Sequence, residues 1–131
     1  MKAETHVTSH IVELLKAQIP DVRLIYLFGS YAKKQENPES DIDIAILSKT
    51  KLDPLFRWDI QQGIADKLNK DIDLIDLLSA STVMQNEIVN NGICLYDSSN
   101  ERGKFEMQVL SMYQRLNEER AEILSEYIGD K

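Results

Sequence analysis

The amino-acid sequence predicts an α/β (α+β) fold: a small mixed sheet flanked by helices, with a long C-terminal helical segment. Three observations carry this prediction. Short runs rich in isoleucine, leucine and valine (VRLIYLF, DIDIAIL, DIDLIDLL) alternate with stretches of helical period. The final quarter of the chain repeats apolar residues every three or four positions with no proline. Nothing between these segments reads as a flexible linker or an internal repeat, so the pattern predicts one domain over residues 1–131.

Taken in order, Thr5 to Ile19 carries Val7, Ile11, Leu14 and Leu15 on one helical stripe, and Pro20 stops it. Val22 to Phe28 is nearly all apolar, as a central strand covered on both faces should be. Ser30 to Gln35 has room for one or two helical turns, and ENPES is a loop broken by Pro38. Asp41 to Leu47 is the second strand. A helix from Pro54 to about Asn69 has Asp53 as its cap and Pro54 at its first position. Its predicted buried face is Leu55, Phe56, Ile60, Ile64 and Leu68, and Trp58 is read as packing on that helix. Asp71 to Leu78 is a third strand. Ser81 to Asn90 forms another helix, with Gly92 as the residue past its end, and Ile93 to Tyr96 is a short edge strand. From Arg102 to Ile128, residues Phe105, Val109, Met112, Leu116, Ile123, Leu124 and Tyr127 line one side of a helical segment 102–128, with a break near Glu118 left open. Periodicity alone leaves the strand directions undetermined.

The chain is acidic: 22 Asp and Glu against 15 Lys and Arg give a formal charge of −7. That balance argues against a broad nucleic-acid footprint, which needs a basic surface. A small anion held through a metal remains compatible with it. The single cysteine, Cys94, excludes an intramolecular disulfide and reads as a buried structural thiol. No apolar run reaches membrane-spanning length and the N-terminus MKAETHVTSH is polar, so the cytoplasm is the expected location. His6 and His10 lie one turn apart without further ligands and are read as surface residues.

The chemistry-bearing feature is a pair of aspartates inside an apolar strand. Alternation puts Asp41, Asp43, Ala45 and Leu47 on one face and Ile42, Ile44 and Ile46 on the other. Burying an unpaired carboxylate is costly, so a cation is the natural compensation. Oxygen ligands of this kind suit Mg²⁺ or Mn²⁺. The triplet DID recurs at Asp71–Asp73, and an adjacent strand can bring Asp73 alongside as a third carboxylate. Plainer readings stand beside these: Asp41 capping a strand, Asp71 ending a turn, Asp73 protecting a sheet edge. Gly29-Ser30 directly follows the first strand. Glycine permits a tight turn and close approach to backbone amides, and a serine hydroxyl can donate to a phosphate oxygen, although a simple turn needs the same residues. Neither a P-loop nor a GxGxxG string occurs.

Gly29-Ser30, ten intervening residues, then Asp41-x-Asp43 resembles the signature of the DNA polymerase beta-like nucleotidyltransferase superfamily. LIYLFGSYA, SDIDIAIL, DIDLIDLLSASTV and SMYQRL together resemble its minimal nucleotidyltransferase (MNT) antitoxins, partners of HEPN ribonuclease toxins. The resemblance covers nearly the whole chain. It implies a nucleotidyltransferase-like fold in which Gly29 and Ser30 hold the triphosphate of ATP and Asp41 and Asp43 bind the divalent metals. Asp73 is implied as the third carboxylate of that metal set, the one that deprotonates or orients the acceptor hydroxyl. Where the family often has arginine then glycine, this chain has Lys33 and Lys34; Lys33 supplies a point charge for phosphate without the bidentate fork.

The implied activity is Mg²⁺-dependent transfer of AMP from ATP to a tyrosine hydroxyl of a cognate HEPN toxin, within a hetero-oligomer. Two alternatives are a small-molecule nucleotidyltransferase of the aminoglycoside type and an antitoxin that neutralises by binding alone. The short chain leaves little material for an elaborate small-molecule pocket, and the intact carboxylate set speaks against purely passive binding. The C-terminal segment has two readings. Either all of it covers the domain's own sheet, or its later part, around Ile123, Leu124 and Tyr127, helps hold the toxin.

Overall fold

The structure, a computed structural model, describes residues 2–29 and 41–128. Its elements in chain order are α1 (Lys2–Gln18), β1 (Val22–Phe28), β2 (Ile42–Ser48), α2 (Pro54–Leu68), β3 (Ile72–Asp76), α3 (Thr82–Asn91), β4 (Ile93–Asp97) and α4 (Arg102–Ile128). The sheet order is β3-β2-β1-β4. β1 is antiparallel to both β2 and β4, and β2 is parallel to β3, so the sheet is mixed as predicted. The predicted turns at Ser30–Gln35 and the ENPES loop lie outside the described residues.

Alternation in the strands divides the core in two. Ile42, Ile44 and Ile46 of β2 join Ile25, Leu27 and Leu74 beneath Ile11, Leu15 and Ile19 at α1 and Ile60 and Ile64 of α2. Ala45 and Leu47 face the other way, into Leu24, Tyr26, Leu77, Ile88 of α3 and Phe105 and Val109 of α4. The two central strands are therefore covered on both faces, which is why VRLIYLF has almost no polar side.

Local signals set the helix ends. The Asp53 carboxylate accepts from the Leu55 and Phe56 amides at 3.1 and 3.2 Å, ahead of Pro54. The left-handed Asn69 closes α2. Ser81 caps α3 through the Met84 amide. Gly92 has extended backbone rather than the left-handed turn that a C-terminal glycine suggests. It is needed because a Cβ there would press on the carbonyl oxygens of Ile88 and Leu27.

Three packing expectations need correction. Leu55 and Phe56 are exposed (73% and 43%), and only Ile60 and Ile64 form the fully buried face of α2. Trp58 is likewise exposed rather than packed. The break considered near Glu118 does not occur, since α4 is one continuous helix. Cys94 is half-buried, and burial pushes its thiol up, away from the reactive thiolate. No helix among the described residues is long and apolar enough to cross a membrane.

Candidate active site

Two strand pairings build the site. In the antiparallel β1–β2 ladder Phe28 lies opposite Asp43, and in the parallel β2–β3 ladder Asp43 lies opposite Asp73. Neighbouring strands are about 4.8 Å apart, and both aspartates share the α3/α4 face with Ala45 and Ile75. Asp41 sits just before β2 and is exposed, while the Ile42 amide donates to the Asp71 carbonyl at 2.9 Å and fixes the register there. The recurrent DID triplets are thus aligned side by side at one end of the sheet.

Gly29 follows β1 with φ +75°, in the left-handed region, and a Cβ on it would overlap the Asp43 carboxylate. Both the backbone turn and the contact with Asp43 exclude any other residue without strain. Ser30 and Lys33 lie outside the described residues.

The three carboxylates act on one another electrostatically. Burial, then the neighbouring charges of Asp73 and Asp41, push the Asp43 carboxyl up to about 6. A like-charged group this poorly stabilised as an anion suits a hard divalent cation. As the side chains stand, no three ligating groups converge on one point among the described residues. An ion held by one or two carboxylates, with water and substrate phosphates completing its shell, does not need such a triad. Asp43, with Asp41 on one side and Asp73 on the other, is the centre of the group that could hold such an ion.

Asp73 is exposed and forms one wall of a cavity of about 380 Å³, together with Arg57, Ser79, Ser81 and Met84. The outer edge of β3 is closed by side chains of α2: Arg57 Nη1 donates to the Leu74 carbonyl at 2.8 Å, and Gln61 Oε1 accepts from the Leu74 amide at 2.9 Å. A partner therefore cannot add a strand at Leu74. Sequence reasoning missed Arg57. Its signal was a cation in the first turn of a helix, which runs against the helix dipole unless it has another partner. Asp76 is buried and plays a different part. It accepts from the amides of Leu52 and Leu78 and from the Ser79 hydroxyl, and so anchors the loops around β3.

Comparison with known proteins agrees with this geometry. The family model described as polymerase beta, nucleotidyltransferase matches residues 9–101. The chain is 41% identical to the protein adenylyltransferase MntA of Shewanella oneidensis over 120 residues, covering 92% of this chain and 86% of that protein. It superposes on the structure of a toxin–antitoxin with AMP-PNP with a TM-score of 0.84 at 40% identity, covering 93% of this chain and 98% of the other. A second structure, tri-AMPylated Shewanella oneidensis HEPN toxin in complex with MNT antitoxin, matches with a TM-score of 0.81 at 38% identity, covering 96% and 99%. With its two carboxylate strands in register and its glycine turn against them, this chain belongs to the polymerase beta nucleotidyltransferase family.

Proposed function

We propose that this chain is a protein adenylyltransferase antitoxin, which transfers AMP from ATP to a tyrosine hydroxyl of a cognate HEPN ribonuclease toxin. The observation that carries the reading is the parallel register setting Asp43 beside Asp73, with Gly29 against Asp43, in a chain similar to an adenylyltransferase over nearly its whole length.

In this reading Gly29, Ser30 and Lys33 hold the triphosphate, and Asp41 and Asp43 are the principal metal ligands. A bound Mg²⁺ supplies charge neutralisation at the phosphates and Lewis acidity. Asp73, on the open side of the cluster, orients the acceptor and takes the phenolic proton. The tyrosine oxygen forms a bond to the α-phosphorus of ATP, the bond from that phosphorus to the bridging oxygen breaks, and pyrophosphate departs. The cavity beside Asp73 is the route by which a protein side chain reaches this point.

The test is mass spectrometry of the toxin after co-expression. With wild type the toxin should carry AMP, and with Asp41→Asn/Asp43→Asn it should be unmodified, because the swap keeps shape and removes ligand charge. A fully modified toxin beside the double variant would overturn the catalytic assignment. Asp73→Asn should lose turnover yet keep most of its Mg·ATP affinity; an equal loss of both would place Asp73 among the ground-state ligands instead.

A further inference from the structure

α4 runs unbroken for 27 residues, about 40 Å at 1.5 Å per residue, but only its first half contributes to the core. Phe105 and Val109 are 9% and 3% exposed, sealed against the sheet and α3. The same stripe then continues through Met112, Leu116 and Ile123, at spacings that return each to the same helical face. Leu116 is half-buried, whereas Met112, Ile123 and the adjoining Leu124 are 49%, 64% and 57% exposed. Every residue from Asn117 to Glu126 is exposed. A core-forming stripe has been carried past the end of the core it serves, where water covers it.

We propose that residues 112–126 of α4 are a docking surface for a helix of the partner toxin. That helix would carry apolar residues at alternating three- and four-residue spacing, bordered by lysine and arginine. The inference rests on the proposed function for the identity of the partner and adds where it binds. Charge selects the chemistry. Glu119, Glu122 and Glu126 run along one edge of the stripe, and the segment carries four glutamates against Arg115 and Arg120, so a basic-edged helix is complementary. A second copy of this chain is a poor occupant. Its first-half stripe is already buried, and pairing the two free halves would set glutamates against glutamates. A few apolar side chains fall short of the roughly 800 Å² per partner of a standard interface. The arm is therefore one part of a divided footprint, the other being the cavity beside Asp73. Contact at two separated places fixes the orientation of the acceptor, which the carboxylates alone cannot do.

The experiment is calorimetry of the full chain against unmodified toxin without ATP, so that no chemistry enters the measurement. Ile123→Asp/Leu124→Asp should weaken binding at least tenfold, and Glu119→Lys/Glu126→Lys, which leaves the stripe apolar, should weaken it as well. The melting temperature of the isolated chain and its Mg·ATP affinity should not move. Unchanged toxin affinity in both variants overturns the docking surface. A lowered melting temperature for Ile123→Asp/Leu124→Asp overturns it too, by placing the stripe in the chain's own core, as does wild-type self-association that the variant abolishes. Wild type that binds no toxin at all would overturn the partner along with the surface, whereas equal binding by wild type and variants overturns the surface alone.

Discussion

Asp43 is held by the fold in a place that is poor for a carboxylate and good for a cation's ligand. Its folded carboxyl titrates near 6 against an ordinary value of 3.8. Below the ordinary value both folded and unfolded chains are protonated there and the group's contribution to stability is fully present. Between that value and about 6 the unfolded carboxyl is ionised while the folded one keeps its proton, so stability falls with pH; above about 6 the folded carboxyl ionises against burial and its two aspartate neighbours, and the contribution is fully lost. In metal-free solution, then, Asp43→Asn should raise the melting temperature at pH 8 and remove the decline that this group causes between about pH 4 and 6, while abolishing AMP transfer. Melting curves across that range in the presence of a chelator would show it; a variant less stable than wild type at pH 8 would contradict the electrostatic account. Gly29 is the matching constraint on the backbone. Gly29→Ala puts a Cβ into the Asp43 carboxylate at a left-handed φ, so a loss of about 1–3 kcal/mol in unfolding free energy is expected. Mg·ATP affinity should fall with it, measured by denaturation and calorimetry on the same preparation.

At the scale of elements, β3 separates a residue that anchors structure from one proposed to serve chemistry. Asp73 is exposed at the cavity, and Asp76, three residues on, is buried under three donors. Asp76→Ala leaves the Leu52 and Leu78 amides without an acceptor, and about 3 kcal/mol of destabilisation is expected. Asp73→Asn should leave stability nearly unchanged. Paired denaturation curves decide this, and equal losses would erase the distinction. The sequence pattern made the recurrent DID triplets visible and predicted which aspartates share a face, because a two-residue period is local. It did not reveal that β2 and β3 are parallel or that Asp43 and Asp73 stand in register, since pairing is decided by distant contacts. The Arg57 and Gln61 closure of the β3 edge was hidden for the same reason. Helical period likewise marked Leu55 and Phe56 as core, yet period shows which face is apolar and not how far a neighbouring element extends over it. The same limit applies along α4, whose stripe is uniform in sequence while its burial ends after Val109.

Across the whole molecule, the formal charge of −7 opposes the approach of both substrates named in the proposed function if each is anionic. For ATP the opposition would be relieved locally by the divalent cation proposed for the carboxylate cluster. For the toxin it is relieved only if the surface that meets α4 is basic, since the exposed arm carries four glutamates against one arginine between residues 117 and 126. Exposed charges of this kind act over a Debye length of about 10 Å at 0.1 M salt, so they steer encounter more than they hold the finished complex. The association rate of toxin with this chain should therefore fall roughly tenfold between 50 and 300 mM NaCl, while the dissociation rate, set by the apolar stripe and the cavity, changes much less. Stopped-flow mixing without ATP separates the two rates. Glu119→Lys/Glu126→Lys should lower the low-salt association rate and reduce its salt dependence. An association rate indifferent to salt would mean that the acidic border of α4 faces solvent in the complex, and that the toxin approaches from another side of the molecule.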